Sequence, residues 1–276
     1  MLTIGSLELE VPAVMGILNV TPDSFSDGGK FLARDTALRH AESMAAAGAS
    51  IIDVGGESTR PGAGEISEQE ELDRVLPVVE SLAGGLDAAV SVDTSKPHVM
   101  REAIAAGAAM INDVRALRED GALSAAAELQ VPVCLMHMQG QPGTMQASPS
   151  YGDVVADVVN FLAERISACR EAGLDDALLI VDPGFGFGKI RQHNIELLAN
   201  LRQLARLGRP ILAGLSRKAT LGELTGRDVD DRMPASVAAA VIAVTRGADI
   251  VRVHDVRETV DALRIAAAIV ESEGNK

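Results

Sequence analysis

Eight short apolar segments recur along the chain, and most of them end in a polar or charged residue. They occupy residues 13–19, 50–56, 88–93, 108–113, 132–137, 177–182, 210–216 and 249–254. Because the chain between successive segments is long enough for a helix and a loop, the pattern predicts eight parallel strands with helical crossovers. The predicted fold class is therefore α/β, with a closed (β/α)8 or TIM barrel. Residues 2–11 alternate around Gly5-Ser6 and predict an N-terminal β-hairpin that closes the bottom of the barrel.

Helices are predicted between the strands, and glycines mark several of their ends. The predicted bounds are residues 35–47, 67–83, 97–106, 120–129, 153–172, 193–207, 234–246 and 256–272. Ser67 and Glu70 have the spacing of a capping box, which predicts a helix start. Since no linker or internal repeat divides the sequence, residues 1–276 are expected to form a single domain.

The strand ends supply the candidate functional residues, because the active site of such a barrel lies at the carboxyl ends of its strands. The candidates are Asn19, Gly55, Asp93, Asn112, His137, Asp182, Ser216, Arg252 and His254. A carboxylate buried there needs a partner, and the N–H/NH₂ edge of a heterocyclic ligand suits Asp93 and Asp182. Two alternatives stay open. One is a metal site, for which the set lacks a close His or Glu cluster, and the other is ion pairing with Lys218 and Arg252.

Positive charge is also expected at the carboxyl ends of the strands, which form the mouth of the barrel. Lys218 follows the seventh predicted strand, while Arg252 and His254 end the eighth. Barrels often bind phosphate at the loops after these two strands. In a protein with a formal net charge of −14, this corner predicts a specific anionic substrate. A Schiff base between Lys218 and a carbonyl substrate is the alternative chemistry.

Two loops at the predicted mouth, residues 19–29 and 55–64, are long and rich in glycine and hydroxyl groups. They are either ordinary surface loops or lids, and their place on the catalytic face favours lids. Residues 184–189, GFGFGK, lack the spacing of a phosphate-binding loop and predict a tight turn that brings Phe187 to the ligand. Met138 either packs within its strand or touches an apolar ring face.

Composition narrows the class of protein further. Of the 276 residues 47% are hydrophobic, and the aromatic residues are five Phe, one Tyr and no Trp. Few aromatic platforms and a net charge of −14 argue against nucleic-acid binding. Cys134 and Cys169 have neither a metal-ligand nor a disulfide pattern and are expected in the core of a protein from a reducing compartment. Without a signal-peptide pattern or a membrane-spanning run, the expectation is a cytoplasmic protein that does not bind membranes.

Eight motifs within residues 4–270 resemble those of the dihydropteroate synthase family. They are NVTPDSFSDGG (19–29), GGESTRPGA (55–63), SVDTSKP (91–97), MIND (110–113), MHMQGQPGTMQ (136–146), DPGFGFGK (182–189), SRK (216–218) and RVHDV (252–256). The resemblance implies a pterin-binding TIM barrel that condenses 6-hydroxymethyl-7,8-dihydropterin pyrophosphate with p-aminobenzoate. The products are 7,8-dihydropteroate and pyrophosphate, and Mg²⁺ is the implied cofactor.

The same resemblance implies a role for each matching residue. The pterin would be bound by Asp93, Asn112, Met138, Asp182, Phe187, Gly214 and Lys218. The pyrophosphate would be held by Asn19, Arg252 and His254, with the Mg²⁺ near Asn19. The p-aminobenzoate pocket, which is also the family's sulfonamide pocket, would be formed by Phe25, Thr59, Arg60, Pro61, Phe187 and Ala219. The catalytic set would be Asp93, Lys218, Arg252 and His254.

Ala219 departs from the pattern, because some members of the family have a serine at this position near the p-aminobenzoate carboxylate. Backbone N–H groups are expected to bind that carboxylate instead. The family also implies a homodimer. The chemistry expected is dissociative C–O cleavage, with the charge of the leaving group neutralised at the cationic corner and Mg²⁺.

Two other functions remain open from the sequence. A methyltetrahydrofolate-dependent methyltransferase has a similar pterin slot but needs neither the Arg252-x-His254 corner nor the TRPGA segment at 59–63. A non-catalytic pterin-binding barrel would not need Asn19 and Lys218 together with that corner. The intact motifs favour the synthase over both.

Overall fold

Eight parallel strands close into a barrel, and a short hairpin precedes them. A computed structural model describes residues 1–20, 29–58, 64–141 and 143–274. The antiparallel hairpin strands are β1 (Leu2–Ile4) and β2 (Leu7–Leu9). The barrel strands are β3 (Ala13–Asn19), β4 (Ile51–Gly55), β5 (Ala89–Asp93), β6 (Met110–Asp113), β7 (Val133–Met136), β8 (Leu179–Asp182), β9 (Leu212–Ala213) and β10 (Ile250–Val253).

Helices cover the outside of the barrel. Those formed by the described residues are α1 (Gly29–Ala46), α2 (Glu68–Leu82), α3 (Pro97–Ala105), α4 (Ala122–Leu129), α5 (Val154–Glu171), α6 (Arg191–Ala199), α7 (Ala219–Thr225), α8 (Met233–Thr245) and α9 (Val256–Gly274). Their apolar faces pack against the outward-facing residues of the strands in one large buried cluster. Within the described ranges, each helix is either too short or too polar to span a bilayer.

The strands pair in the order β8-β7-β6-β5-β4-β3-β10-β9. A single parallel bridge between Val181 and Ile211 closes the remaining gap between β8 and β9. At this bridge Val181 N donates a hydrogen bond to Pro210 O at 2.9 Å. The predicted (β/α)8 barrel is confirmed.

The inside of the barrel is filled by alternate strand residues, and its lowest layers are apolar. One buried cluster contains inward-facing residues of all eight barrel strands, namely Ala13, Met15, Ile51, Ala89, Met110, Cys134, Ile180, Leu212 and Ile250. The hairpin residues Leu2, Ile4 and Leu9 belong to the same cluster. The hairpin therefore plugs the amino-terminal end of the barrel, as predicted. Polar chemistry is thereby confined to the opposite, carboxyl end.

Several local predictions are also confirmed. Ser67 is the N-cap of α2, where its Oγ accepts a hydrogen bond from Glu70 N at 3.2 Å. Gly48 and Gly107 follow α1 and α3 with φ of +103° and +109°, a backbone conformation that favours glycine. Cys134 and Cys169 are buried free thiols.

Two helical segments differ from the prediction. The predicted helix over 193–207 is split into α6 and a 3-10 segment, Leu201–Leu207. Helix α7 was not predicted, because its short sequence ATLGELT has too few apolar residues to show a helical period. This helix begins immediately after Lys218 and so fixes the direction in which the chain leaves the mouth.

Replacing Ile4 by alanine tests the hairpin plug. Ile4 is fully buried in the inner cluster, so we expect the variant to lose about 3 kcal/mol of unfolding free energy in urea denaturation. Thr3→Ala, on the exposed side of the same strand, is the control and should change it by less than about 0.5 kcal/mol. Similar small effects of both changes would show that the hairpin is not part of the core.

Candidate active site

A cavity of about 1200 Å³ opens at the carboxyl ends of the strands. Most of the residues that the sequence analysis singled out line this cavity, and each ends a strand or lies in the segment that follows one. They are Asn19, Asp93, Asn112, Asp182, Phe187, Gly214, Ser216, Lys218, Ala219, Arg252 and His254. Barrel closure thus brings these residues from six strands together at the carboxyl end of the barrel.

An ionic network lies at the base of the cavity and is centred on Arg252 of β10. Arg252 Nε donates to Asp53 Oδ2 at 2.6 Å, and its Nη2 donates to Asp93 Oδ2 at 2.8 Å. Asn112 Nδ2 donates to the same Asp53 oxygen at 2.9 Å. The ion pair between Asp93 and Arg252, one of the alternatives left open by the sequence, is therefore present in this structure.

The carboxyl of Asp93 is held between opposing influences. The pKa of Asp93 is raised to about 7, because burial and the nearby carboxylates of Asp53, Glu71 and Asp113 raise it more than Arg252 lowers it. The two carboxylates beside Arg252 raise the pKa of its guanidinium despite burial, which keeps it charged. Asp93 is thus poised to change its charge near neutral pH.

Asp182 lies on the opposite wall, at the end of β8. Its Oδ1 accepts a hydrogen bond from Gly184 N at 2.7 Å, and burial raises its pKa, opposed by that hydrogen bond and by Lys218 and Lys189. Gly184 has a φ of +66°, and a Cβ at this position would lie 1.9 Å from the His137 carbonyl oxygen. Only glycine allows this close approach, so the turn predicted at 184–189 has a steric cause.

Lys189 holds the same turn from behind. Its buried Nζ donates to Gly184 O at 2.8 Å and to Phe187 O at 3.0 Å, and lies 2.9 Å from His137 Nδ1. Burial lowers the pKa of Lys189 well below its usual value, and Asp182 opposes that shift. Burial and Lys189 lower the pKa of His137 to about 2, so its ring is neutral and Nδ1 can accept a hydrogen bond from Lys189 Nζ. Lys189 thus ties the turn to the residue that follows β7.

Lys218 and Phe187 form the upper wall. Lys218 Nζ lies 4.1 Å from the centroid of the Phe187 ring, a cation–π contact. Burial lowers the pKa of Lys218 to about 8, with Asp182 acting in the opposite direction. The preceding Arg217 has a φ of +57°, which costs a side-chain-bearing residue about 1–2 kcal/mol. A two-point ion pair with Asp255 and a bond from Arg217 N to Ser236 Oγ hold it there.

His254 completes the cationic corner. Ser216 Oγ lies 3.0 Å from His254 Nδ1 and accepts from His254 N at 3.2 Å. Ser216 thus orients the imidazole, and the ends of β9 and β10 are joined at the mouth.

Asn19 is the residue to which the sequence assigned a metal. A Cβ on Gly55 would lie 3.7 Å from both Asn19 Oδ1 and Asp93 Oδ2, so two hard oxygen atoms face the same small space. Among the described residues, no group of three His, Cys, Asp or Glu side chains has metal-binding geometry. This donor set fits Mg²⁺, which usually takes few protein ligands and keeps water and substrate phosphate oxygens.

Some predicted site residues lie elsewhere. The placement of His137 at the mouth is wrong, because β7 ends at Met136 and the next side chain points outward, 4.9 Å from the Phe161 ring. Met138 is buried in a cluster with Val114, Met136 and Met145 rather than in the cavity wall. Met136 and Met145 line the cavity instead. The predicted residues Phe25, Thr59, Arg60 and Pro61 lie outside the described residues.

Sequence reasoning missed three polar groups. Asp53 lies inside β4 rather than at its end, yet a carboxylate within the apolar run SIIDVGG was a detectable anomaly. Lys189 was treated only as part of a turn. Lys96 Nζ lies 2.7 Å from Glu57 Oε2 and also contacts buried Glu71, which anchors the start of the second long loop. No sequence motif or regular spacing links Asp53, Lys189 and Lys96.

Comparison with known families agrees with this geometry. The profile of the family described as pterin binding enzyme matches residues 15–254 of the chain. The barrel fold, the polar cavity at its carboxyl end and the family match together define the class of protein: a (β/α)8-barrel enzyme that binds a pterin.

Similar proteins narrow the class. Dihydropteroate synthase of Escherichia coli (strain K12) is 54% identical over 271 residues, which cover 98% of this chain and 96% of the relative. Xanthomonas albilineans dihydropteroate synthase with 4-aminobenzoic acid has a TM-score of 0.90 at 55% identity, covering 95% of this chain and 94% of that one. The same enzyme with 7,8-dihydropteroate gives a TM-score of 0.87 at 52% identity and 95% coverage of each chain. The Yersinia pestis enzyme with a sulfonamide drug gives 0.93 at 55% identity, covering 98% and 99%.

The chain therefore belongs to the dihydropteroate synthase family, whose members are transferases of folate synthesis.

Replacing Lys189 by methionine tests the support of the turn. The change leaves two buried carbonyl oxygens and the His137 nitrogen without their donor. We expect a loss of about 3 kcal/mol of unfolding free energy in urea denaturation. Arg206→Met, an exposed cation on the neighbouring 3-10 segment, is the control and should shift it by less than about 0.5 kcal/mol. Equal stability of the two variants would contradict a structural role for the buried amino group of Lys189.

Proposed function

We propose that this chain condenses 6-hydroxymethyl-7,8-dihydropterin pyrophosphate with p-aminobenzoate to give 7,8-dihydropteroate and pyrophosphate. One observation carries the proposal. A single cavity holds carboxylate and amide groups, Asp182 and Asn112, alongside a cationic corner of Lys218, Arg252 and His254. A heterocycle with N–H edges that carries a pyrophosphate has both of the required features.

The pterin is bound between the walls of the cavity. Asp182 accepts from its N–H/NH₂ edge, while Asp93 and Asn112 bind the same ring from the far side. Lys218 contacts the carbonyl or N5 side of the pterin. Phe187, Gly214 and the apolar cluster that contains Met138 line the sides of the pterin site. Support comes from the lining of the cavity and from the burial that makes unpaired polar groups costly there.

The pyrophosphate is bound at the cationic corner by Asn19, Arg252 and His254. Mg²⁺ beside Asn19 would supply positive charge to the phosphate oxygens. Arg252 is held by Asp53 and Asp93, so its charge is fixed in place before the substrate arrives.

The reaction starts with heterolysis of the C–O bond. Both electrons leave with the pyrophosphate oxygen, whose charge Arg252 and His254 stabilise. The cation left on the pterin methylene is stabilised by the electron-rich ring and by the carboxylates of Asp93 and Asp182. The amine nitrogen of p-aminobenzoate then forms the C–N bond and loses a proton.

The p-aminobenzoate site is proposed beside Phe187 and Ala219, both of which line the cavity. Ala219 is the first residue of α7, and backbone N–H groups there take the place of a serine hydroxyl. Phe25, Thr59, Arg60 and Pro61 are proposed to complete this pocket. Sulfonamides would compete for it, in line with the drug complex of the Yersinia pestis relative.

A product assay tests the function. Purified protein with Mg²⁺, dihydropterin pyrophosphate and p-aminobenzoate should form dihydropteroate, detected by mass spectrometry. Asp182→Asn should weaken pterin binding by up to about 10⁴-fold in calorimetry, because the hydrogen-bonding edge is no longer matched. Asp87→Asn, an exposed carboxylate at the opposite end of the barrel, is the control and should behave as wild type.

No product from folded wild-type protein would contradict the proposed reaction. Near-normal pterin binding by Asp182→Asn would contradict its assigned role. Borohydride trapping of a carbonyl substrate on Lys218 would favour Schiff-base chemistry instead.

We also propose a cytoplasmic homodimer. Three large apolar side chains are exposed on two packed helices: Ile242 of α8 at 43%, and Ile265 and Ile269 of α9 at 66% and 55%. Exposed apolar side chains on two helices that pack together favour a protein partner, and a second copy of the chain would bury the same face on both subunits. The two buried free cysteines support a reducing compartment.

Replacing Ile265 by aspartate tests this face. Wild-type protein should sediment as a dimer, and the variant should shift towards the monomer because it places charge in an apolar interface. Ile195→Asp, on α6 and 37% exposed, is the control and should leave the dimer unchanged. A wild-type monomer, or an equal effect of both changes, would exclude this interface.

A further inference from the structure

Asp53 lies below the cavity, inside β4. The register pairs Asp53 with Ile17 of β3 and Ser91 of β5, so its side chain points into the barrel one layer under the strand ends. The layer beneath it is the apolar cluster plugged by the hairpin. Asp53 is completely buried and is not a cavity-lining residue.

One oxygen of Asp53 contacts two residues of the site. Its Oδ2 accepts from Arg252 Nε at 2.6 Å and from Asn112 Nδ2 at 2.9 Å. Arg252 belongs to the proposed pyrophosphate corner, and Asn112 to the proposed pterin wall. These residues reach the mouth from β10 and β6, which are not neighbours in the sheet.

We propose that Asp53 is a positioning residue that orients Arg252 and Asn112 together and so sets the two halves of the site relative to each other. A carboxylate accepts only, and so it fixes the amide plane of Asn112 with the nitrogen inward. The carbonyl oxygen of Asn112 is left for the cavity, which selects a ligand atom that donates. This inference rests on the proposed function for the roles of Arg252 and Asn112.

Stability alone does not explain a carboxylate at this position. The other oxygen, Oδ1, is buried and has no hydrogen-bond partner among the described residues. Replacing a buried ion pair by apolar residues of similar volume is often neutral or stabilising. A residue needed only for packing would resemble Ile51, the inward-facing neighbour one layer below. The orientation of two polar site residues is what the carboxylate adds.

The test compares Asp53→Asn with Ser91→Ala. Asn keeps the size of the side chain but removes its charge. Ser91 is the cross-strand neighbour of Asp53, is equally buried, and its Oγ has no partner among the described residues. Ser91→Ala thus removes a polar atom from the same layer without touching Arg252 or Asn112.

We expect Asp53→Asn to remain folded and to lose about 100-fold in kcat/KM for the pterin substrate, because Arg252 and Asn112 are no longer held. Ser91→Ala should match wild type in kcat/KM. Unchanged kcat/KM in folded Asp53→Asn, or equal losses in Ser91→Ala, would overturn the proposal.

A second measurement does not depend on activity. The Nε–H proton of Arg252 should exchange slowly in ¹⁵N NMR of wild type and Ser91→Ala, and rapidly in Asp53→Asn. If that variant does not fold, Asp53→Ser is used in its place. Rapid exchange in wild type would overturn the proposal even if dihydropteroate is made. Slow exchange in wild type without product would contradict the proposed function and leave the contact intact.

Discussion

The guanidinium of Arg252 lies between two carboxylates, and much of the site depends on this arrangement. Its partners, Asp53 and Asp93, are separated from it by 199 and 159 residues along the chain. They meet only because the sheet closes on itself. A charge buried in this way is stable when its donors are matched by acceptors, and Arg252 uses Nε and Nη2 for that purpose. The barrel thus holds a fixed positive charge at the base of the cavity.

On the opposite wall of the cavity, beside Asp182, an irregular turn at residues 184–188 is held rigid by a buried lysine. Residues 184–188 belong to neither a strand nor a helix, and the three glycines among them have positive φ. Lys189 supplies hydrogen bonds that regular secondary structure would otherwise provide: its Nζ donates to Gly184 O and Phe187 O, and His137 Nδ1 is the third acceptor. Rigidity here places the Gly184 N–H on Asp182 and the Phe187 ring under Lys218. The slot is therefore formed before a ligand enters, which reduces the ordering cost of binding.

Strand order, barrel closure and the residues at strand ends were predictable, because apolar runs with a polar last residue leave a clear periodic signal. Groups that act through contacts distant in sequence were not. Asp53 was hidden by its position inside a strand, and its partners are set by barrel closure rather than by spacing. His137 was misplaced because β7 ends one residue earlier than the apolar run suggests, and alternation then turns its side chain outward. Helix α7 was missed since its capping Gly226 follows only seven residues with few apolar positions.

The distribution of polar groups also explains why the fold tolerates such a site. Asp53 Oδ1 and Ser91 Oγ are buried without partners among the described residues, which opposes folding by roughly 1–3 kcal/mol for each group. Below them the interior is wholly apolar and is sealed by Leu2, Ile4 and Leu9 of the hairpin. Around them the helices bury a second, larger apolar cluster against the outer face of every strand. Stability is thus concentrated at the closed end and the outside of the barrel, which leaves the open end free to hold charges in an arrangement that packing alone would not favour.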